Sequence, residues 1–237
     1  MLKIRLFFSI VFIGLIVIIA RPTFATSPVQ TEHFRIMGFG GEIPEEVLKK
    51  IAQDVESAYI KIATFLDVDP YRFSKIEVSV FLKPQAGRNI RASAGEARIN
   101  LDADFNDTRL LKHELTHILI SKPMPGAPRW FHEGLAQYMS EGDIRRSNKY
   151  PRSGFNDFSF MKLEAMFGAD RTEEEAYYYA WSIVSYIIDE YGKEKLQKLF
   201  KESGFLKDRF VRVYAVELNS LEEKANEIFA KYKPKAE

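Results

Sequence analysis

Apolar positions along the chain repeat at two spacings, and each spacing predicts one kind of element. Residues 75–82 alternate apolar and polar side chains, as a half-buried strand does, and residues 33–37 and 97–101 are shorter strand candidates. From Pro44 onward, apolar residues recur every three or four positions, which predicts a helix. Further helical patterns cover residues 158–167, 173–191, 193–202, 206–216 and 221–232. We therefore expect an α+β chain, with a small N-terminal sheet followed by an α-helical C-terminal half.

The first 25 residues are apolar behind a basic start. Lys3 and Arg5 precede residues 6–20, which contain no charge, and Thr23-Phe24-Ala25 follows with small residues at the cleavage-site positions. A helix over that run would span about 22 Å, short of the roughly 30 Å of a bilayer core. We expect a signal peptide over residues 1–25, or else an N-terminal membrane anchor, and one domain over residues 26–237. Both alternatives predict an extracytoplasmic domain, secreted or attached to the cell surface by this segment alone.

Composition removes several classes of function. The chain has no cysteine, which excludes a disulfide framework and a thiolate nucleophile. Its 34 basic and 33 acidic residues leave a formal net charge of +1, so we expect no nucleic-acid partner.

The strongest chemical signal is the run His113-Glu114-Leu115-Thr116-His117. Residues four apart lie on one face of a helix, so His113 and His117 can offer two imidazoles to one metal ion. Glu114 is turned about 100° from His113 and can act on a water molecule as a general base. Asn106 or Asp107 can cap the start of this helix, and Pro123 ends it.

A catalytic zinc site needs a third protein ligand. His132 and Glu133 both follow the HExxH helix, and both side chains can bind zinc. Adjacent helical residues diverge by about 100°, so only one of them can point at the ion. Helix geometry alone does not choose between them.

Residues 113–117 (HELTH) and 128–138 (PRWFHEGLAQY) resemble the gluzincin metallopeptidases, and most closely the compact peptidase MA-like domains of zincin-like fold. Residues 179–192 are more weakly similar to that group's following helix. The resemblance implies Zn²⁺ held by His113, His117 and Glu133, with Glu114 as the base. It also implies that Gly134 and Ala136 let this helix approach the zinc helix closely.

The resemblance implies an extracytoplasmic zinc-dependent metallopeptidase that acts on peptide or protein substrates. Zinc activates water, Glu114 takes its proton, and the same carboxylate later protonates the leaving amine. Three tyrosines, residues 177–179, open the long helix, and the family pattern favours Tyr179 as donor to the oxyanion.

In peptidases of this build, an edge strand before the zinc helix binds extended substrate through its main chain. Here that strand is predicted at residues 95–100, with Arg88, Arg91 or Glu96 as possible substrate contacts. Gln137 stands where thermolysin-like gluzincins carry an aspartate that supports a ligand. No Gly-x-Met-Glu-Asn segment precedes the zinc helix, so we expect an endopeptidase rather than an aminopeptidase.

Two other classes of protein fit the same residues. One is a zinc-binding scaffold or binding domain of this fold without catalysis. The other is a structural export protein in which the motif arises by chance and binds no zinc. His33 lies far from the motif and has no partner at ligand spacing, so we interpret it as an ordinary strand residue.

Overall fold

Strands come first along the chain and helices follow. In a computed structural model, the structure describes residues 27–82, 97–102, 107–144, 157–169 and 172–231. The predicted signal segment lies outside these ranges, as do Arg88, Arg91 and Glu96. The strands are β1 (Val29–Gln30), β2 (Phe34–Phe39), β3 (Ile76–Phe81) and β4 (Arg98–Asp102). The predicted α+β class is confirmed.

The sheet is mixed, with the strand order β1-β2-β3-β4. β1 runs antiparallel to β2, whereas β2, β3 and β4 run parallel to one another. The parallel pairing of β2 with β3 requires a crossover, and helix α1 (Glu45–Leu66) supplies it. Leu48 and Val55 of α1, like Ile36 of β2, are fully buried, so the helix covers one face of the sheet.

Eight helices follow β4 in the part of the chain that the structure describes. They are α2 (Thr108–Ser121), α3 (Arg129–Glu141), α4 (Phe160–Met166), α5 (Glu173–Tyr191), α6 (Lys193–Lys201), α7 (Leu206–Tyr214), α8 (Ser220–Glu223) and α9 (Ala225–Lys231). The single helix predicted over residues 221–232 is two short helices that meet at Lys224. Within the described ranges, none of the helices has the length and apolar character needed to cross a membrane.

Helix α5 is the centre of the helical half. Between Ala176 and Ile188 every residue is buried except Tyr177, so α5 is surrounded on nearly all sides. It packs against α3, α4, α6 and α9.

Gly134 brings α3 into backbone contact with α5. A Cβ atom at this position would lie 2.3 Å from the carbonyl oxygen of Ala180 and 2.8 Å from a methyl carbon of Val184. Only glycine allows that approach. The expectation that Gly134 serves an approach to α2 is therefore wrong, because the backbone it meets belongs to α5.

The connection between α2 and α3 is held by Arg209 from α7. This side chain is 4% exposed, and its guanidinium donates to the carbonyl oxygens of Pro123 and Gly204, each at 2.7 Å. It also lies 2.8 Å from the sulfur of Met124. A buried charge is tolerated when its donors are satisfied, and here carbonyl oxygens satisfy them. The turn between the two motif helices is thus fixed from the far end of the chain.

Candidate metal centre

Helix α2 begins and ends next to the residues that the sequence predicted as its limits, Asp107 and Pro123. The side chain of Asp107 accepts hydrogen bonds from the backbone N–H groups of Arg109 and Leu110, which makes it the N-cap. The helix ends at Ser121, two residues before Pro123. One face of α2 is buried through apolar residues that include Leu111, Leu115, Ile118 and Leu119. The opposite face carries His113 and His117.

Helix α3 brings Glu133 to those histidines. Its N-cap residue, Pro128, offers no side-chain hydrogen bond, but Glu164 of α4 accepts the N–H of Trp130 at 2.8 Å. That contact satisfies one of the free donors at the helix start.

Three ligand-type atoms meet at one point between α2 and α3. The Nε2 atoms of His113 and His117 are 3.1 Å apart. The Oε2 atom of Glu133 lies 3.2 Å from the first and 3.3 Å from the second. His113, His117 and Glu133 thus form a nearly equilateral triangle, which we call the His–Glu triangle.

The triangle has the dimensions that zinc needs. Ligands placed tetrahedrally at about 2.0–2.2 Å from zinc are roughly 3.3–3.6 Å apart, at or just above the observed separations. The three side chains are 13%, 15% and 12% exposed, so they are partly accessible to solvent. Two imidazoles and one carboxylate are also a ligand set of catalytic zinc. The residues present therefore fit a zinc ion.

Glu133 is charged in this environment. Burial raises the pKa of its carboxyl group, but hydrogen bonds from His113 and His117 lower it by more, and the pKa lies well below its ordinary value. An ionised carboxylate is the form that binds metal.

His132 lies next to the triangle without joining it. Its ring stands nearly parallel to that of His117 with centroids 6.2 Å apart, and it hydrogen-bonds to the backbone of Met124. Burial lowers the pKa of His132, and the nearby charge of His117 lowers it further. Of the two neighbours that the sequence left open, the structure brings Glu133, not His132, to His113 and His117.

Arg129 is a part of this site that the sequence analysis missed. Its Nε atom lies 3.4 Å from Oε1 of Glu133, the carboxylate oxygen that faces away from the histidines. Its Nη2 atom lies 3.2 Å from a carboxylate oxygen of Glu173. Arg129 precedes Glu133 by one helical turn, and that spacing is the only signal for it in the sequence.

The structure places Tyr177, and not Tyr179, beside the triangle. The ring of Tyr177 is 6.3 Å from that of His113, and its hydroxyl group hydrogen-bonds with Arg129. Burial raises the pKa of Tyr177, and the charge of Glu133 raises it further.

Tyr179 is 2% exposed and packs on Phe229 of α9 at 4.7 Å, where burial raises its pKa to about 12. Two helical residues two positions apart diverge by about 200°, so the tyrosine that faces the triangle excludes the other from it. The family pattern favoured Tyr179 at the site, but the structure places Tyr179 away from the triangle, against α9.

Glu114 and β4 are the other parts of the chain that the sequence predicted at the site. Glu114 follows His113 on α2 and is 8% exposed. β4 is one of the two edge strands of the described sheet and ends six residues before α2 begins, and it overlaps the predicted segment 95–100 at residues 98–100.

A second group of histidine and glutamate side chains lies at the other end of the fold. His33, just before β2, places Nδ1 2.5 Å from Oε1 of Glu56 on α1, and Glu32 is nearby. The opposite ring atom, Nε2 of His33, is buried without a hydrogen-bond partner among the described residues. The rings of Tyr59 and Tyr71 lie 5.2 Å and 4.8 Å from the imidazole ring.

A small mixed sheet followed by helices, with two histidines and a glutamate converging from consecutive helices, is the build of a metallopeptidase-type domain. The sequence profile of the Peptidase MA superfamily matches residues 96–230, more than half of the 237-residue chain. The chain belongs to the peptidase MA superfamily, as its motifs predicted. Comparisons with curated proteins and with solved structures give no match.

Proposed function

We propose that this protein is an extracytoplasmic zinc-dependent endopeptidase of the gluzincin type. The observation that carries the proposal is the His–Glu triangle, whose spacing and partial exposure suit a catalytic zinc ion. Membership of the peptidase MA superfamily supports peptide or protein substrates. The charge-free run at residues 6–20 behind Lys3 and Arg5 supports export from the cytoplasm.

His113, His117 and Glu133 would hold the zinc ion. Zinc bound in such a set supplies a Lewis acid that polarises a carbonyl group and makes water a stronger acid. The three side chains are partly exposed, which supports access of a substrate carbonyl and a water molecule.

Glu114 moves the proton in this proposal. It follows the first ligand on α2 and is turned about 100° from it, so its carboxylate serves the water and not the ion. Glu114 accepts a proton as the water oxygen attacks the peptide carbon, and it passes that proton to the nitrogen of the leaving amine. The C–N bond breaks to give a carboxylic acid and an amine, and transfer of the acid's proton to the amine leaves a carboxylate and an ammonium group at neutral pH.

Tyr177 takes the part predicted for Tyr179. Because its hydroxyl oxygen accepts a hydrogen bond from the Arg129 guanidinium, the phenolic hydrogen remains available to donate. That hydrogen can stabilise the negative charge that develops on the substrate carbonyl oxygen. β4, at the edge of the described sheet, offers main-chain groups to an extended substrate.

The test combines metal analysis with turnover of a peptide library by the purified chain from residue 26. We expect about one zinc ion per chain, cleavage at internal peptide bonds, loss of cleavage after chelation, and its return with added zinc. A purified chain that contains no zinc would contradict the proposed metal centre. Stoichiometric zinc without cleavage of any peptide would replace the peptidase by a zinc-binding domain that lacks catalysis.

A further inference from the structure

Arg129, between Pro128 and Trp130, contacts several side chains at and around the site. Its guanidinium reaches Glu133, Glu173 and Tyr177, and it lies 4.8 Å from the ring centre of Phe167. These partners come from α3, the C-cap residue of α4 and the first two turns of α5. One side chain therefore joins the candidate ligand carboxylate to two other helices.

The two oxygen atoms of Glu133 are used differently. Oε2 lies 3.2 Å from His113 and 3.3 Å from His117, whereas Oε1 lies 3.4 Å from Nε of Arg129. A free carboxylate can bind a cation through one oxygen or through both. Here one oxygen faces the histidines while the other faces a fixed positive charge.

We propose that Arg129 is a positioning residue that holds Oε1 of Glu133, so that Glu133 presents one oxygen only to the metal ion. The inference rests on the proposed metal centre and adds the group that sets how its carboxylate binds. By keeping the coordination number low, Arg129 leaves room at the ion for water and the substrate carbonyl.

The alternative is that Arg129 and Glu133 form an ordinary surface ion pair, four residues apart on a helix. Such a pair contributes little to stability. Two observations favour a larger effect. Glu133 is only 12% exposed, so solvent and salt screen its charge less than that of a surface group. Arg129 is restrained by Glu173 and Tyr177 as well, so holding it in place costs little additional side-chain entropy.

The shape of the guanidinium matters because its partners lie in different directions. Arginine presents several N–H donors in a planar fork, whereas lysine presents one compact charge. Lysine at residue 129 can reach Glu133 or Glu173 but cannot span both in the same geometry. We therefore expect Arg129→Lys to restore only part of what Arg129→Ala removes.

The experiment measures metal binding by the purified chain without using peptidase activity. Zinc affinity is determined by competition with a chromophoric chelator, and the coordination of the ion is followed by the visible absorption of the Co²⁺-loaded protein. In Arg129→Ala we expect zinc affinity to fall by about 10- to 100-fold, as for other residues that orient metal ligands. We also expect Co²⁺ bands of higher coordination number, because both oxygens of Glu133 become free to bind.

Arg212→Ala is the matched control. Arg212 is exposed to a similar extent, 45% against 42%, and pairs with Glu202 at 2.8 Å in a part of α7 outside the triangle. It should leave both readouts unchanged. Glu173→Gln, which keeps the contact between Arg129 and Glu133, should give a smaller change than Arg129→Ala.

Co²⁺ bands in Arg129→Ala identical to those of the unmodified chain would overturn the inference. If that variant does not fold, as judged by circular dichroism, the same comparison with Arg129→Met, which keeps a long side chain without the charge, decides. An unmodified chain that binds neither zinc nor Co²⁺ would instead overturn the proposed metal centre and the inference together. Metal binding without peptide cleavage would overturn the proposed activity only.

Discussion

The part of the chain that the structure describes contains two groups of histidine and glutamate side chains, and the two groups are built differently. In the His–Glu triangle, all three ligand-type atoms point at one another across 3.1–3.3 Å and remain partly exposed. At the other group, His33 is 4% exposed and directs Nδ1 at Glu56, while its second nitrogen is buried and has no hydrogen-bond partner among the described residues. The first arrangement brings two imidazoles and a carboxylate to one point, whereas the second joins a single imidazole to Glu56 by a hydrogen bond between α1 and the residue before β2.

This difference shows that residue type does not by itself make a metal centre. Both groups consist of histidine and glutamate, and both lie within the distance that a cation can bridge. What separates them is the number of imidazoles that meet and the exposure of those rings, 13% and 15% for His113 and His117 against 4% for His33. His113 and His117 share a helical face and meet Glu133 together, whereas His33 meets Glu56 alone.

The largest expected effect tests this comparison directly. Glu133→Ala should lose bound zinc and all peptidase activity, because the triangle then has two ligands only. Glu56→Ala, the corresponding change in the second group, should keep both. His132→Ala should also keep zinc and weaken turnover at most. Metal content after dialysis, measured beside turnover, checks all three variants, and zinc lost from His132→Ala but kept by Glu133→Ala would replace this centre by a three-histidine site.

A second change separates holding the ion from moving the proton. Glu114→Gln should keep about one zinc per chain and lose activity by about 10²- to 10⁴-fold, because glutamine cannot accept the proton from water. Turnover numbers and metal analysis on the same preparation provide the measurement. Turnover at the level of the unmodified chain would exclude Glu114 as the base.

A third change tests whether the triangle depends on the contact between α3 and α5. In Gly134→Ala the new methyl group would lie 2.3 Å from the carbonyl oxygen of Ala180, so α3 has to move. We expect the free energy of unfolding to fall by about 1–3 kcal/mol, with weaker zinc binding. Ser140→Ala, on the same helix, serves as the control, and chemical denaturation measures both. Unchanged stability would show that α5 does not fix α3.

The smallest expected effect concerns the second group and depends on pH. Burial raises the pKa of Glu56, but hydrogen bonds from Thr31 and His33 lower it by more, so its pKa lies below the ordinary 4.5. A lowered pKa in the folded state means that ionised Glu56 stabilises the protein above pH 4.5, and that this contribution is lost as pH falls through the folded-state pKa.

The free energy of unfolding should therefore be higher for the unmodified chain than for Glu56→Gln, and this difference should be largest at neutral pH. The excess should shrink in the acid range below pH 4.5, while zinc content at neutral pH stays equal. Urea unfolding at a series of pH values gives the difference. A difference that does not vary with pH would show that the charge of Glu56 plays no part.

The sequence predicted those features that depend on neighbours along the chain. The spacing of His113 and His117 places them on one helical face, and Asp107 and Pro123 bound that helix as their chemistry requires. The helix at residues 173–191 was predicted with its observed ends, since Gly192 stops it.

Features that depend on packing between distant elements were not predicted. Periodicity shows that α5 is apolar, but which of three consecutive tyrosines faces the triangle depends on how α5 is rotated against α3. The contact of Gly134 with Ala180 joins two helices, and the motif gives no sign of which partner it meets. His33 and Glu56 are 23 residues apart, so their hydrogen bond has no local signature either.

The buried Arg209 has a consequence for the order in which the protein is completed. A chain is synthesised from its N-terminus, so both motif helices exist before Arg209, which follows Pro123 by 86 residues. Until α7 has folded, the turn between α2 and α3 lacks the hydrogen bonds that Arg209 donates to it. A fragment that stops short of α7 holds every candidate ligand but lacks the side chain that holds the turn between α2 and α3. The chain must therefore extend through α7 before that turn has all of its hydrogen bonds.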